Sequence, residues 1–280
     1  AFPLYKKLNK LISFINQVSC LQMKKQKKIL IFIPAYNAAK TLPLVIDRIP
    51  DGIKKKVSEI LVADDASKDN SHLIAIGYKQ QKGMRNLKVI KHKKNKGYGG
   101  NQKFAYQYAI DNGFDIVVML HGDAQYAPEM IPNLLKPLES NEADMVFGSR
   151  MMGKPLKGGM PLWKFIGNKV TTSIENFVLG LNLSEYHSGF RLYSCKALKN
   201  IPFHRCSDYF DFDTDILIQF KLAKLRIAES PIPTYYGDEK CHVNYYTYFL
   251  NIFKSLYQYI LFKCGIKEVK KFEIGKTNKN

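Results

Sequence analysis

The chain has 280 residues and a formal charge of +19, from 43 lysines and arginines against 24 acidic residues. That length buries one large core, or a main domain with an appendage, and the charge favours an anionic partner: nucleic acid, anionic lipid or a phosphorylated substrate. Cys20, Cys195, Cys206, Cys241 and Cys264 are scattered and lack a C-x-x-C pair, which excludes a disulfide frame or a cysteine zinc site.

In chain order, Leu4, Leu8, Leu11, Ile15 and Val18 recur at helical spacing among Lys6, Lys7 and Lys10. This predicts an amphipathic basic helix over 2–22, docked on the domain or lying on anionic lipid. From Ile29 an α/β rhythm begins. Strands are expected at Ile29–Pro34, Glu59–Asp64, Leu87–Lys91, Ile116–His121 and Asp144–Gly148, separated by helical stretches. Thr41-Leu42-Pro43 reads as an N-cap with proline in the first turn, a helix starts near Ser71, and Asn112-Gly113 ends the one after the glycine-rich turn. Such alternation implies right-handed crossovers and a mostly parallel sheet covered on both faces.

After Arg150 the pattern changes. Met151–Gly159 is rich in glycine and lysine and is expected to be mobile. A helix follows over 161–181, a short strand at Phe190–Ser194, a helix at Thr214–Leu225 and a last strand at Ile227–Pro231. Beyond the loop Thr234–Asn244, the aromatic-rich segment Tyr245–Cys264 is too polar to cross a membrane yet apolar enough to lie along one. No run reaches the ~18–20 apolar residues of a span, and no signal-peptide pattern opens the chain. A cytoplasmic protein, free or peripheral on the cytoplasmic face of a membrane, is expected.

The polar signals fall at strand ends. Pro34-Ala35-Tyr36-Asn37 follows the first strand, Asp64-Asp65-Ala66-Ser67-Lys68-Asp69 the second, and His121-Gly122-Asp123-Ala124-Gln125 the fourth. If the first and fourth strands flank the topological switch, all three converge on one crevice. There His121, Asp123 and Gln125 form a donor set suited to Mg2+ or Mn2+ bound jointly with phosphates. Asp65 suits a base or ribose hydroxyl, or else caps a helix. Asn95-Lys96-Gly97-Tyr98-Gly99-Gly100 precedes a helix and could bring backbone N–H groups and Lys96 to a phosphate.

P-A-Y-N, D-D-A-S-K-D, N-K-G-Y-G-G, H-G-D-A-Q-Y-A-P-E, G-S-R and S-G-F-R together resemble, in order and approximate spacing, family 2 glycosyltransferases of the GT-A fold. The likeness is greatest to the branch of dolichyl- and polyprenyl-phosphate sugar synthases, and it covers residues 28–235. It implies a GT-A, Rossmann-like mostly parallel sheet with a C-terminal helical, aromatic extension on the acceptor side. The expected divisions are an N-terminal helix (1–27), a glycosyltransferase domain (28–235; nucleotide-sugar half 28–150, acceptor half 151–235) and a C-terminal helix with basic tail (236–280).

The implied activity is inverting transfer from a GDP- or UDP-linked sugar to a lipid phosphate or cell-envelope glycan, with a divalent metal. Pro34, Tyr36, Asn37, Asp64 and Asp65 would hold the nucleoside, and Lys96, Gly97, Arg150 and Arg191 the phosphates, with a structural ion pair as the alternative for either arginine. Asp123 and Gln125 match the end of the metal motif, while His121 stands where its first aspartate is usual. Asp215, then Asp213, is the candidate general base, with helix capping as the alternative and with no base required if the acceptor is a phosphate. The competing function is a weak or inactive sugar-nucleotide-binding scaffold, because His121 removes one negative charge. A nucleic-acid-binding protein ranks last, since no basic stripe interleaved with aromatics marks one module.

Overall fold

The computed structural model describes residues 26–234 and 245–275. The predicted 2–22 helix and most of the 234–244 loop, including Tyr235–Lys240, lie outside the described residues. Seven strands form one sheet: β1 (Ile29–Ala35), β2 (Glu59–Asp64), β3 (Leu87–Lys91), β4 (Ile116–Met119), β5 (Met145–Ser149), β6 (Arg191–Ser194) and β7 (Ile227–Pro231). The helices are α1 (Leu42–Arg48), α2 (Asp51–Lys56), α3 (Ser71–Gln81), α4 (Gly97–Asp111), α5 (Ile131–Glu139), α6 (Leu162–Leu179), α7 (Cys195–Lys199), α8 (Phe212–Leu222) and α9 (Tyr245–Lys263).

The strand order is β3-β2-β1-β4-β6-β5-β7. Every pairing is parallel except those of β6, which runs antiparallel to both β4 and β5. The reversal follows from its entry at the carboxyl edge, where Arg191 sits opposite both Met119 and Phe147. The apolar runs build a sheet buried on both faces because strand side chains alternate. Leu30 and Phe32 join one core with Leu61, Val117, Tyr106 of α4 and Phe212 of α8. Ile29, Ile31 and Ile33 join the other, with Val62, Val118, Val45 of α1 and Leu134 of α5.

One local expectation changes. Thr41 makes no side-chain capping bond; its hydroxyl donates to the Gly122 carbonyl at 2.5 Å, tying the segment after β1 to that after β4. Met151–Gly159 forms hydrogen-bonded turns, Gly153 N to Arg150 O at 3.0 Å and Gly158 N to Lys154 O at 3.0 Å. A Cβ on Gly158 would fall 2.1 Å from Thr234 O, so this glycine permits close backbone packing.

Candidate active site

The register brings the predicted loops to one edge. Ala35 pairs with Asp64, which sets Tyr36 beside Asp65, and Phe32 pairs with Met119, which sets Pro34 level with His121. β1 and β4 are thus the neighbours at which connections diverge, the position where open α/β sheets bind ligands.

Hydrogen bonds lock these loops together. Asn37 N donates to Ser67 Oγ (2.9 Å) and Asn37 Oδ1 accepts from Lys68 N (3.0 Å). Asp64 Oδ1 accepts from Ser67 N at 3.0 Å, while Asp69 accepts from Ala39 N and Ser71 N. Asp65 accepts from Lys96 N at 2.7 Å and Gly97 N at 3.1 Å, so it caps α4. Burial pushes the Asp65 carboxyl up, and those N–H groups and His92 pull it back only in part. Each strand-end loop turns through a left-handed residue: Asn37 (φ 52°), Ala66 (φ 59°) and Ala124 (φ 65°). Asparagine tolerates that conformation, but alanine there costs about 1–2 kcal/mol. Such strain gathers at ligand sites.

The N-K-G-Y-G-G stretch departs from its expected role. Its amides are engaged within the protein: Lys96 N and Gly97 N by Asp65, Gly99 N by Asp208 O at 2.8 Å. A Cβ on Gly97 would lie 2.5 Å from Asp208 O, and one on Gly99 2.3 Å from Ser207 O. These glycines admit a neighbouring backbone rather than a phosphate. The Lys96 ammonium stands 5.9 Å from the Phe104 ring centre.

At the centre of the edge are His121 and Asp123. His121 Nδ1 is 3.8 Å from Asp123 Oδ2, an electrostatic neighbour too distant for a hydrogen bond, and 43% of the Asp123 side chain is exposed. Asp123 Oδ1 accepts from Gln125 N at 3.1 Å, which folds the turn. Among the described residues no three His, Cys, Asp or Glu side chains gather into a metal cage. One accessible carboxylate, one imidazole and one amide still fit a divalent ion that completes its shell with phosphate and water oxygens.

Three partners of this cluster escaped the sequence reading. Tyr98 places its hydroxyl 3.4 Å from His121 Nε2 and donates to Asp213 Oδ2 at 2.9 Å. The Tyr126 hydroxyl accepts from Gly189 N at 2.8 Å, and its ring packs edge-on against His121. A Cβ on Gly189 would fall 2.3 Å from His121 Nε2. All three lie inside quoted motifs, but they meet across 23 to 115 residues of chain, and no spacing rule connects them.

The acceptor-half residues are mostly consumed by the fold. Arg191 is buried, and its guanidinium donates to Ser188 O (2.8 Å), Asp213 O (3.0 Å) and Tyr186 O (2.6 Å). Arg150 pairs with buried Glu185 through its backbone N–H (2.8 Å) and Nε (2.9 Å), and donates to His187 O at 3.1 Å. Burial would raise the Glu185 carboxyl, but Arg150 and Asn168 more than offset this and hold it low. Asp215, the first-choice base, is fully buried and accepts from Ser207 N (3.0 Å), Ser255 Oγ (2.8 Å) and Lys271 Nζ (2.6 Å). Burial keeps its carboxyl raised despite Lys271. It joins α8 to the C-terminal segment rather than to the Asp123 cluster, whereas Asp213 reaches that cluster through Tyr98.

A groove of about 680 Å3 runs along α4 beside the 203–208 segment, lined by Lys96, Lys103, Phe104, Tyr108 and Asp208 among others. Asp65, His121 and Asp123 do not line it, so it is separate from the strand-end site.

Residues 30–202 match the model of glycosyl transferase family 2. The chain belongs to that family. UDP-N-acetylglucosamine–dolichyl-phosphate N-acetylglucosaminyltransferase of Methanococcus voltae is 29% identical over 249 residues, 85% of this chain and 97% of the relative. Undecaprenyl-phosphate mannosyltransferase of Micrococcus luteus is 29% identical over 210 residues, 73% of this chain and 82% of the relative. These relatives place the family 2 enzyme in the polyprenyl-phosphate sugar synthase-like branch of the glycosyltransferases. Glucosyl-3-phosphoglycerate synthase of Mycobacterium tuberculosis, solved with phosphoglyceric acid, superposes with a TM-score of 0.63 at 20% identity over 88% of this chain and 82% of that one. At that identity the likeness establishes the GT-A fold.

Proposed function

We propose that this family 2 glycosyltransferase moves a sugar, with inversion, from a nucleoside-diphosphate donor to a polyprenyl phosphate at a membrane surface. One observation carries the reading: Asp123 stands accessible at the single sheet edge where the segments after β1, β2 and β4 are tied together. Tyr36, 44% exposed beside Asn37, offers a flat face to the donor base. Asp64 and Asp65 act chiefly by holding the walls of that pocket. Asp123, His121 and Gln125 would hold Mg2+ or Mn2+, which would supply positive charge against the departing diphosphate.

Both acids of the D-T-D segment already have partners, Asp213 in Tyr98 and Arg191, Asp215 in Lys271. This favours an acceptor that arrives ionised, as a phosphate does, over a sugar hydroxyl that needs a base. The acceptors in the names of the M. voltae and M. luteus relatives point the same way. Among the described residues no helix is long and apolar enough to cross a membrane. Two helices that pack together nevertheless expose apolar faces: Trp163, Ile166, Val170 and Phe177 on α6, and Leu250 and Tyr257 on α9. Their i, i+3 and i+7 spacing, with lysines alongside, suits a helix lying in the headgroup layer.

The test offers a panel of UDP- and GDP-sugars with polyprenyl phosphate and Mn2+, and identifies the lipid product by mass and its anomeric configuration by NMR. Inverted lipid-linked sugar that disappears in Asp123→Asn supports the reading; transfer indifferent to Asp123 sinks it. Donor binding without turnover in the native chain, with turnover restored by His121→Asp, would establish the scaffold alternative instead.

A further inference from the structure

The His121 ring offers two nitrogens, and only one can face a cation as a lone pair. Which one is decided by the hydrogen on the other. The Tyr98 hydroxyl has a single hydrogen and two candidate acceptors: Asp213 Oδ2 at 2.9 Å and His121 Nε2 at 3.4 Å. The carboxylate is nearer and, with the Arg191 guanidinium 3.5 Å from its Oδ1, has only lone pairs to give.

With that hydrogen committed to Asp213, the phenol oxygen can only accept from His121. Nε2 therefore carries the imidazole hydrogen and Nδ1 the lone pair, and Nδ1 is the nitrogen nearest Asp123. The opposite tautomer would set the Nε2 lone pair against the lone pairs of the phenol oxygen at 3.4 Å and forfeit that hydrogen bond. It would also aim Nδ1–H at Asp123 Oδ2 across 3.8 Å, outside hydrogen-bond range. The ring has little freedom to escape this choice, because Tyr126 packs against it and the Gly189 backbone closes the Nε2 side.

Resting on the cation-dependent function above, we propose that Tyr98 is a positioning residue which, backed by Asp213, fixes His121 as the Nε2–H tautomer. The Nδ1 lone pair is then left on the Asp123 side of the ring, where the imidazole would serve beside that carboxylate as a donor to a divalent ion. An imidazole ligand suits Mn2+ better than Mg2+, which prefers oxygen, so the Tyr98–His121 pair also sets metal preference. The Tyr98 ring stacks on Phe210 with centres 4.8 Å apart, and Tyr98→Phe removes the oxygen while keeping that packing.

The test labels histidine side chains of the full chain with 15N and reads the His121 tautomer from long-range 1H–15N spectra, assigned by its loss in His121→Asn. Calorimetry with UDP, and in parallel with GDP, gives the affinities for Mn2+ and Mg2+. The native chain is expected to show the Nε2–H tautomer and to prefer Mn2+. Tyr98→Phe should show mixed tautomers and bind Mn2+ about tenfold more weakly, the scale of an outer partner's contribution. In a His121→Asp background the same change should leave Mn2+ affinity nearly untouched. A native Nδ1–H tautomer, or equal Mn2+ affinity in native and Tyr98→Phe protein, overturns the role of Tyr98 and leaves the function standing. Failure of native protein to bind Mn2+ with either UDP or GDP overturns both. Should Tyr98→Phe not fold, the native spectrum alone decides the tautomer.

Discussion

The regions on either side of β4 use polar residues in opposite ways. On the β1–β4 side, carboxylates and amides bind neighbouring loops and leave Tyr36 and Asp123 accessible. On the β6–α8 side, Arg191, Asp213 and Asp215 are sealed inside and joined to one another's surroundings. Motif residues of the same chemical type can thus face a ligand in one half and form the wall behind it in the other. Burying an ion pair yields little net stability, but removing one member leaves an uncompensated charge.

The strongest way to break this contrast is Arg191→Met, which strands three carbonyls and the Asp213 carboxylate. A loss of about 3–5 kcal/mol in urea unfolding is expected; an effect on donor KM alone would return Arg191 to the ligand-facing group. Asp123→Asn should do the reverse, lowering turnover by about 10²–10³-fold while unfolding stability stays within about 0.5 kcal/mol.

Acid sharpens the distinction next. Glu185 has its folded carboxyl below the unfolded value of about 4.3, so its contribution to stability is complete above that pH and is lost as pH falls through the lower, folded value. Thermal midpoints of the native chain should therefore fall more steeply below about pH 4 than those of Glu185→Gln, whose amide does not titrate. The smallest change expected is at the exposed helical face. Phe177, 89% exposed, should contribute to binding of anionic vesicles, and Phe177→Ser should weaken it by about tenfold, as the loss of one inserted aromatic implies, without moving the thermal midpoint.

Much of the donor side was legible because its signals are local. A branched apolar run stopping at His121 or Asp64 reports a strand and its end, and P-A-Y-N and D-D-A-S-K-D fall at consecutive strand ends. The acceptor side was legible as elements but not as roles. Asp215 and Asp213 are two residues apart in the same first turn of α8, yet one faces Lys271 and the other Tyr98. Likewise Gly97 and Gly99 advertise a phosphate loop in one dimension and a backbone crossing in three.

The order of residues alone determined an α/β sheet and the strand-end position of His121, Asp123 and Gln125, because side-chain alternation and strand termination are properties of neighbouring positions. Tertiary structure decided the reversal of β6, the commitment of Arg150, Arg191 and Asp215 to internal pairs, and the meeting of Tyr98 with His121 and Asp213. Those outcomes depend on which distant groups compete for the same hydrogen or charge, and that competition exists only once the chain has closed on itself.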